Sequence, residues 1–289
     1  MIGSGLERYD LIMQTFLPFP DFAASAAVLD GPRLGKQRVE TLQVLRALVF
    51  PDYGWQRHPA VRMWMGHVPA LVCYGLAMTD EWLARGHADS TRGSILEFAP
   101  EAERAAPALP PWLGDEDFHR SHRSNLIQKD PAFYGPRFPG TSNALPYIWP
   151  EPATELVPAE VTGPRLWIAR AQGGQGEKPG TAVVSLPALT PAGVPVRGKK
   201  ARQVDAMLNE ANDGDPVALP LDGGLRFATG TLGPITGAAD TLARTLVLSG
   251  EIRRSDFDCP ALLQDPRLFF AVPLPAVLRG SPGARSIHR

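Results

Sequence analysis

Between residues 31 and 50 apolar and polar positions alternate at helical spacing. Leu34, Leu42, Leu45, Leu48 and Val49 share one face, and Arg33, Lys36, Gln37, Glu40, Gln43 and Ala47 share the opposite one. A period of 3.6 residues predicts an amphipathic helix that begins around Pro32, whose fixed φ suits a first turn, and stops before Pro51. Arg38 projects with the apolar face, so it is either buried with a partner or close to the helix edge. Pro59 starts a second helix through Trp64. Pro69 starts a third, which carries Leu71, Val72, Leu76, Trp82 and Leu83 and ends at Arg85-Gly86, a C-cap signal. A fourth, over 115–129, opens on acidic residues and closes on Lys129, charges that suit the helix dipole at both ends, and Pro131 blocks its continuation.

After residue 165 the pattern changes. Short β-favouring runs separated by Gly and Pro predict strands near 165–170, 181–186, 216–219, 225–231, 244–248 and 268–272, with one helix over 201–211. Five of the six histidines and five of the six tryptophans precede residue 150, and a Pro-rich stretch from Pro150 to Pro158 separates the two textures. The expected fold class is multidomain α+β. An all-helical domain over 13–150 is followed by a Pro-rich linker over 151–163 and a small β-rich barrel or curled sheet over 164–280.

Composition narrows the function classes. No apolar run approaches the roughly 20 residues of a membrane span and no signal-peptide pattern opens the chain, which predicts a cytoplasmic, nucleoid-associated protein with no membrane partner. Two cysteines far apart, Cys73 and Cys259, argue against a disulfide framework or a zinc site. The net charge of −1 is uninformative, but its distribution is not. Residues 33–62 carry six basic against two acidic side chains, 80–117 nine acidic against three basic, and 118–137 four basic against one acidic. Two separated basic stretches fit a phosphate-binding face assembled from different elements; ordinary charged helix faces fit them too.

Glu40 is the leading catalytic candidate, flanked one turn away by Lys36 and Gln43. Cleaving an N-glycosidic bond builds oxocarbenium character on the sugar, which a nearby carboxylate stabilises, or it activates the nucleophile. Neighbouring cations would hold phosphates and keep that carboxylate ionised. The same spacing also fits a solvent-exposed Lys36–Glu40 pair. The stretch from Trp55 to Trp64, with Arg57, His58 and Arg62, mixes cations and aromatics where a loop enters a helix, a mixture able to stack an unpaired base or simply to pack a core. His119, Arg120, His122 and Arg123 crowd two turns of the fourth helix, followed by Lys129 and Tyr134. Phosphate contacts suit them better than a metal, because no cysteine or carboxylate set completes a site. No cofactor is expected: Gly-rich phosphate loops, Ser/His/Asp motifs and Cys-x-x-Cys pairs are absent.

At these residues the chain resembles the pyrimidine-dimer DNA glycosylase superfamily. Met13 to Pro18, Arg33 to Glu40, Trp55 to Trp64 and Phe118 to Tyr134 carry the resemblance, which covers roughly residues 13–150. It implies a compact helical fold that binds double-stranded DNA, extrudes a nucleotide and cleaves the glycosidic bond of a damaged or modified base. Glu40 falls at the catalytic glutamate, and Arg33, Lys36, Arg38 and Gln43 where substrate-clamping side chains lie. Phage-type members use their own α-amine as nucleophile. Here the family-like start is Met13-Gln14, preceded by Met1 to Ile12. Either translation begins at Met13 and loss of that Met exposes the Gln14 amine, or the lyase step is lost and Glu40 activates water.

Residues 165–280 more weakly resemble PUA-like barrels of the EVE or ASCH kind, which bind modified bases or RNA, with Arg197, Lys199, Lys200 and Arg202 as a basic approach. Two further readings stand beside the glycosylase: a non-catalytic reader of modified DNA or RNA, and a metal-dependent nuclease built on His119 and His122.

Overall fold

A computed structural model describes residues 13–152, 154–155, 161–170, 180–238 and 240–279. Met1 to Ile12 and much of the expected linker, residues 153 and 156–160, lie outside the described residues. The chain divides into two compact units at residues 159/160. The N-terminal part is helical and the C-terminal part carries a six-stranded mixed sheet, an α+β chain. No helix among the described residues is long and apolar enough to cross a membrane.

The N-terminal unit comprises α1 (Phe22–Val28), α2 (Gly31–Val49), α3 (Pro59–Arg62), α4 (Val68–Ala84), α5 (Arg92–Leu96), α6 (Glu116–Lys129) and α7 (Pro131–Tyr134). Its helix ends are set by local chemistry. The Asp30 side chain accepts from the Arg33 N–H at the start of α2, and Asp115 accepts from the Asp117 and Phe118 N–H groups at the start of α6. Gly86, at φ 83°, follows α4. Asp130 ends α6 and caps α7 by accepting from the Phe133 N–H. Pro131 therefore stops one helix and opens another, where its missing N–H costs nothing. Helices α2 and α4 approach closely at Gly75: a Cβ there would meet the Thr41 methyl at 2.6 Å and Ile95 at 3.0 Å.

Helix α2 departs from its sequence pattern. Leu34, Leu45 and Leu48 are buried as expected, but so are Gln37, Glu40 and Ala47 on the face expected to be polar. That face is covered because residues 13–17, which have no helical period of their own, are buried against it, with Gln37 bonded to their backbone.

In the C-terminal unit the strands are β1 (Arg165–Ala169), β2 (Thr181–Pro187), β3 (Pro216–Leu221), β4 (Arg226–Ala238), β5 (Thr241–Arg253) and β6 (Phe269–Pro273), in sheet order β2-β5-β4-β3-β1-β6. The β1–β3 pair is parallel and the others antiparallel. Hydrophobic clusters cover both faces. Trp167, Val184, Leu246 and Phe269 join Met207 on one, and Leu166, Ile168, Phe227 and Phe270 join Phe257 on the other. Two-sided burial explains why β1 is a continuous apolar run rather than an alternating one. Met207 lies in a π-helical turn (Ala206–Glu210) that continues α8 (Lys199–Asp205), matching the helix expected over 201–211. Among the described residues no ladder joins β2 to β6.

Candidate active site

Residues 13–18 form no helix and join no sheet, so their backbone groups need other partners. Side chains from three helices and a later loop supply them. Gln37 Nε2, on α2, donates to the Gln14 carbonyl at 2.9 Å, and the Tyr147 hydroxyl donates to that of Thr15. The Phe16 N–H donates to Tyr74 Oη, on α4, at 3.2 Å and to Gln37 Oε1 at 3.3 Å. Tyr74 in turn has Gln37 Oε1 at 2.7 Å and the Phe16 carbonyl at 3.1 Å to receive its single proton. From α6, His122 Nδ1 accepts from the Leu17 N–H at 3.0 Å, and Arg123 Nη1 donates to the Pro18 carbonyl at 2.9 Å. His119 Nδ1 lies 2.7 Å from the Leu17 carbonyl and Nε2 accepts from the Gly114 N–H, so His119 is the Nδ1–H tautomer.

Glu40 lies at one end of this network. It is 4% exposed, and its Oε2 accepts from Gln37 Nε2 at 2.7 Å. The backbone N–H of Gln14 also donates toward the carboxylate. Lys36 Nζ stands 3.3 Å from Oε1, but that buried oxygen receives no well-aligned hydrogen bond, so the cation supplies charge rather than a bond. Burial pushes the Glu40 carboxyl from 4.5 up to about 7, against the opposing pull of Lys36, Gln14 and Gln37. The expectation that neighbouring cations keep it ionised is thus corrected: near neutrality it both takes and gives a proton, as general acid–base work requires. A solvent-exposed pair is excluded, since Lys36 is half-exposed and Glu40 is not.

Residues 13–92 match the family model of pyrimidine dimer DNA glycosylases. No curated protein and no solved structure matched. The matched segment contains Gln14, Lys36, Gln37, Glu40 and Tyr74, and it ends at the first residue of α5, before α6.

The other expected site residues divide into two groups. Arg57, Arg62 and Arg120 are exposed, Arg62 reaching Glu151 at 3.4 Å and Arg120 reaching Asp117 at 3.5 Å, and Gln43 is half-buried. The remainder have partners within the chain. Buried His58 caps α3, accepting from the Ala60 N–H, with its ring edge-on to Trp55 and Trp149. Arg38 pairs with Asp89 and lies 4.3 Å over the Trp82 ring. Arg33 pairs with Asp30 beside Tyr134, whose buried hydroxyl accepts from the Asp30 N–H. Lys129 lies 6.0 Å over Phe16, and Arg123 also pairs with Glu116. His119 and His122 have ring nitrogens engaged by the segment 13–18, and among the described residues no group of three or more His, Cys, Asp or Glu is placed to hold a metal. Tyr74 and Tyr147 went unpredicted; the one signal was a phenol in an otherwise apolar stretch of α4.

Proposed function

We propose that the N-terminal unit is a DNA N-glycosylase that excises a damaged or modified pyrimidine, a pyrimidine dimer being the first substrate to test, with Glu40 as its acid–base group. The observation that carries this reading is a carboxyl held near pKa 7 by burial and aimed by Gln37 and Gln14, inside the segment that matches the glycosylase family. A carboxyl poised there takes a proton from an attacking water as the sugar gains positive charge. The Gln14 backbone N–H serves as a donor to Glu40. Lys36 is the exposed partner through which substrate meets the pair, and Arg57, Arg62 and Arg120 are exposed cations able to face phosphates.

A glycosylase must take its target out of the base stack. A cavity of about 350 Å³ lined by Tyr53, Trp55, Gln56, Arg57 and His58 supports this. Trp55 stays 42% exposed there and adopts φ 71°, a strained conformation for a non-glycine residue. In the C-terminal unit, exposed Arg197, Lys199 and Lys200 support a PUA-like reader of nucleic acid. Replacing the three with Gln should weaken binding to modified duplex or RNA; unchanged binding sinks the reader.

The decisive experiment is Glu40→Gln on a duplex carrying a cyclobutane dimer, with released base revealed by alkaline cleavage. Excision should fall by about 10²-fold or more while duplex binding persists. Excision that survives the substitution removes Glu40 from the chemistry.

A further inference from the structure

We propose that Tyr74 is a positioning residue of this site. By donating to Gln37 Oε1 it locks the Gln37 amide with Nε2 toward Glu40 Oε2, which leaves Oε1 as the oxygen of Glu40 that takes and gives the proton. This role rests on the glycosylase reading for its catalytic consequence; its geometry stands without it. Tyr74 lies on α4 and is 1% exposed, and the acid–base step makes no use of it. Its oxygen accepts from the Phe16 N–H at 3.2 Å. Its single proton faces Gln37 Oε1 at 2.7 Å, closer than the Phe16 carbonyl at 3.1 Å. Burial pushes the phenol far above its ordinary value, so it remains a donor throughout the range in which Glu40 ionises.

Both ends of the Gln37 amide then agree on one orientation. Oε1 receives the Tyr74 hydroxyl and the Phe16 N–H, whereas Nε2 directs its two hydrogens to the Gln14 carbonyl at 2.9 Å and Glu40 Oε2 at 2.7 Å. Turned over, the amide would set its oxygen against the Gln14 carbonyl with no proton between them. Glu40 is therefore asymmetric. Its Oε2 faces an N–H, but Oε1 receives no hydrogen bond and lies 3.3 Å from half-exposed Lys36. A proton taken from water settles on Oε1, because placing it on Oε2 would displace the Gln37 N–H. Donation into the amide oxygen also polarises the amide N–H groups, so Tyr74 strengthens the bond that Glu40 receives. Among the described residues the titratable groups that face Glu40 are Lys36 on its own helix and Tyr74 from α4. Residues 13–18 have no titratable side chain.

The test is an NMR titration of the full chain with 13C in the Glu carboxyls and 15N in the Gln side chains. The Glu40 and Gln37 signals are those lost in Glu40→Gln and Gln37→Leu. In the wild type the Gln37 amide resonances should follow the Glu40 midpoint near pH 7. A Gln37 amide indifferent to that titration overturns the proposal, with no variant needed to fold. Tyr74→Phe should raise the midpoint by about one pH unit, the worth of a hydrogen bond to a charged group. Gln37→Leu should raise it at least as far, and Tyr74→Phe should add nothing in that background. A lowered thermal transition with an unmoved midpoint, or shifts that add, reduces Tyr74 to a structural residue and overturns its positioning role. Release of base from dimer duplex, followed against pH in parallel, should show its acid limb moving with the Glu40 midpoint while KM holds. Base release whose limb and midpoint are unchanged in Tyr74→Phe overturns this proposal and leaves the glycosylase standing. A midpoint that moves in proteins releasing no base supports the role of Tyr74 and removes the excision reading instead.

Discussion

Both units bury charged side chains, and Glu40 in one and Arg244 in the other are treated in opposite ways. Arg244, on β5 and 1% exposed, donates to the carbonyls of Gly233 at 3.0 Å and Ala211 at 2.7 Å and pairs with Asp213. Its planar fork ties the hairpin to the end of the π-helical turn, and its charge is answered on every side. Glu40, 4% exposed, keeps one oxygen without a hydrogen bond, and its carboxyl is driven to about 7. A buried charge with all its partners specifies structure; one left short of partners, beside a reachable amine, is a candidate for chemistry. Burial alone distinguishes nothing.

The largest test crosses the two sites. Arg244→Met leaves two buried carbonyls without donors and should cost about 3 kcal/mol of stability, read as a lowered thermal transition, with base release from dimer duplex unchanged. Glu40→Gln should do the reverse, keeping or raising stability while excision collapses. If both substitutions destabilise alike and neither acts on excision, the contrast between the sites is empty.

A smaller effect sharpens the same contrast through pH. The Glu40 carboxyl is raised on folding, so its contribution to stability is whole below about pH 4.5, where folded and unfolded chains both hold the proton. Between 4.5 and 7 the unfolded chain ionises first and the contribution is lost, a cost on the order of 3 kcal/mol. Glu40→Gln should therefore gain stability over the wild type progressively across that window. His122 works in the other direction. Burial, with His119 beside it, holds its imidazole well below 6.5, so its contribution is whole above that pH and lost on acidification. Its Nδ1 accepts from the Leu17 N–H, which puts the ring proton on Nε2, a buried atom with no partner among the described residues. His122→Phe should flatten the acid limb, whereas Glu40→Gln flattens the neutral one. Equal pH profiles for wild type and both variants would deny the two groups their burial.

How much of this is legible in the chain follows from the range of each interaction. Helix ends are legible because caps and breakers act on their own neighbours: Pro32, Gly86 and Pro131 lie where the pattern predicts, and Asp30 and Asp115 supply the adjoining caps. Strand positions in the C-terminal unit are equally local, although β4 and β5 run 13 residues each, longer than their apolar runs, because a hairpin ladder continues through exposed residues. What periodicity does not carry is the cover on a helix face. Glu40 stands out as a candidate by its type and spacing, yet its burial depends on residues 13–18 and on side chains as distant in sequence as Tyr74, His122 and Tyr147. The same blindness leaves an internal role and a DNA contact indistinguishable in the sequence at His58, His119 and Arg123. A polar side chain that satisfies the chain's own backbone has the same composition as one that awaits a phosphate.

The smallest test concerns that ambiguity at Arg38, on the same helix as Glu40 and two residues from Lys36. Its guanidinium pairs with Asp89 and stacks on Trp82, and Asp89 in turn accepts from the Thr91 and Arg92 N–H groups at the start of α5. Those donors and Arg38 hold the Asp89 carboxyl below the ordinary range even though burial works against them. If Arg38 ties α2 to the α5 turn, Arg38→Met should lower stability by about 1–2 kcal/mol, with excision rate and the salt dependence of duplex binding unchanged. If it clamps DNA, the salt slope should fall by about 0.9 for the phosphate contact removed, with little change in stability. The slope and the melting transition thus report separately on two roles that the spacing along α2 leaves together.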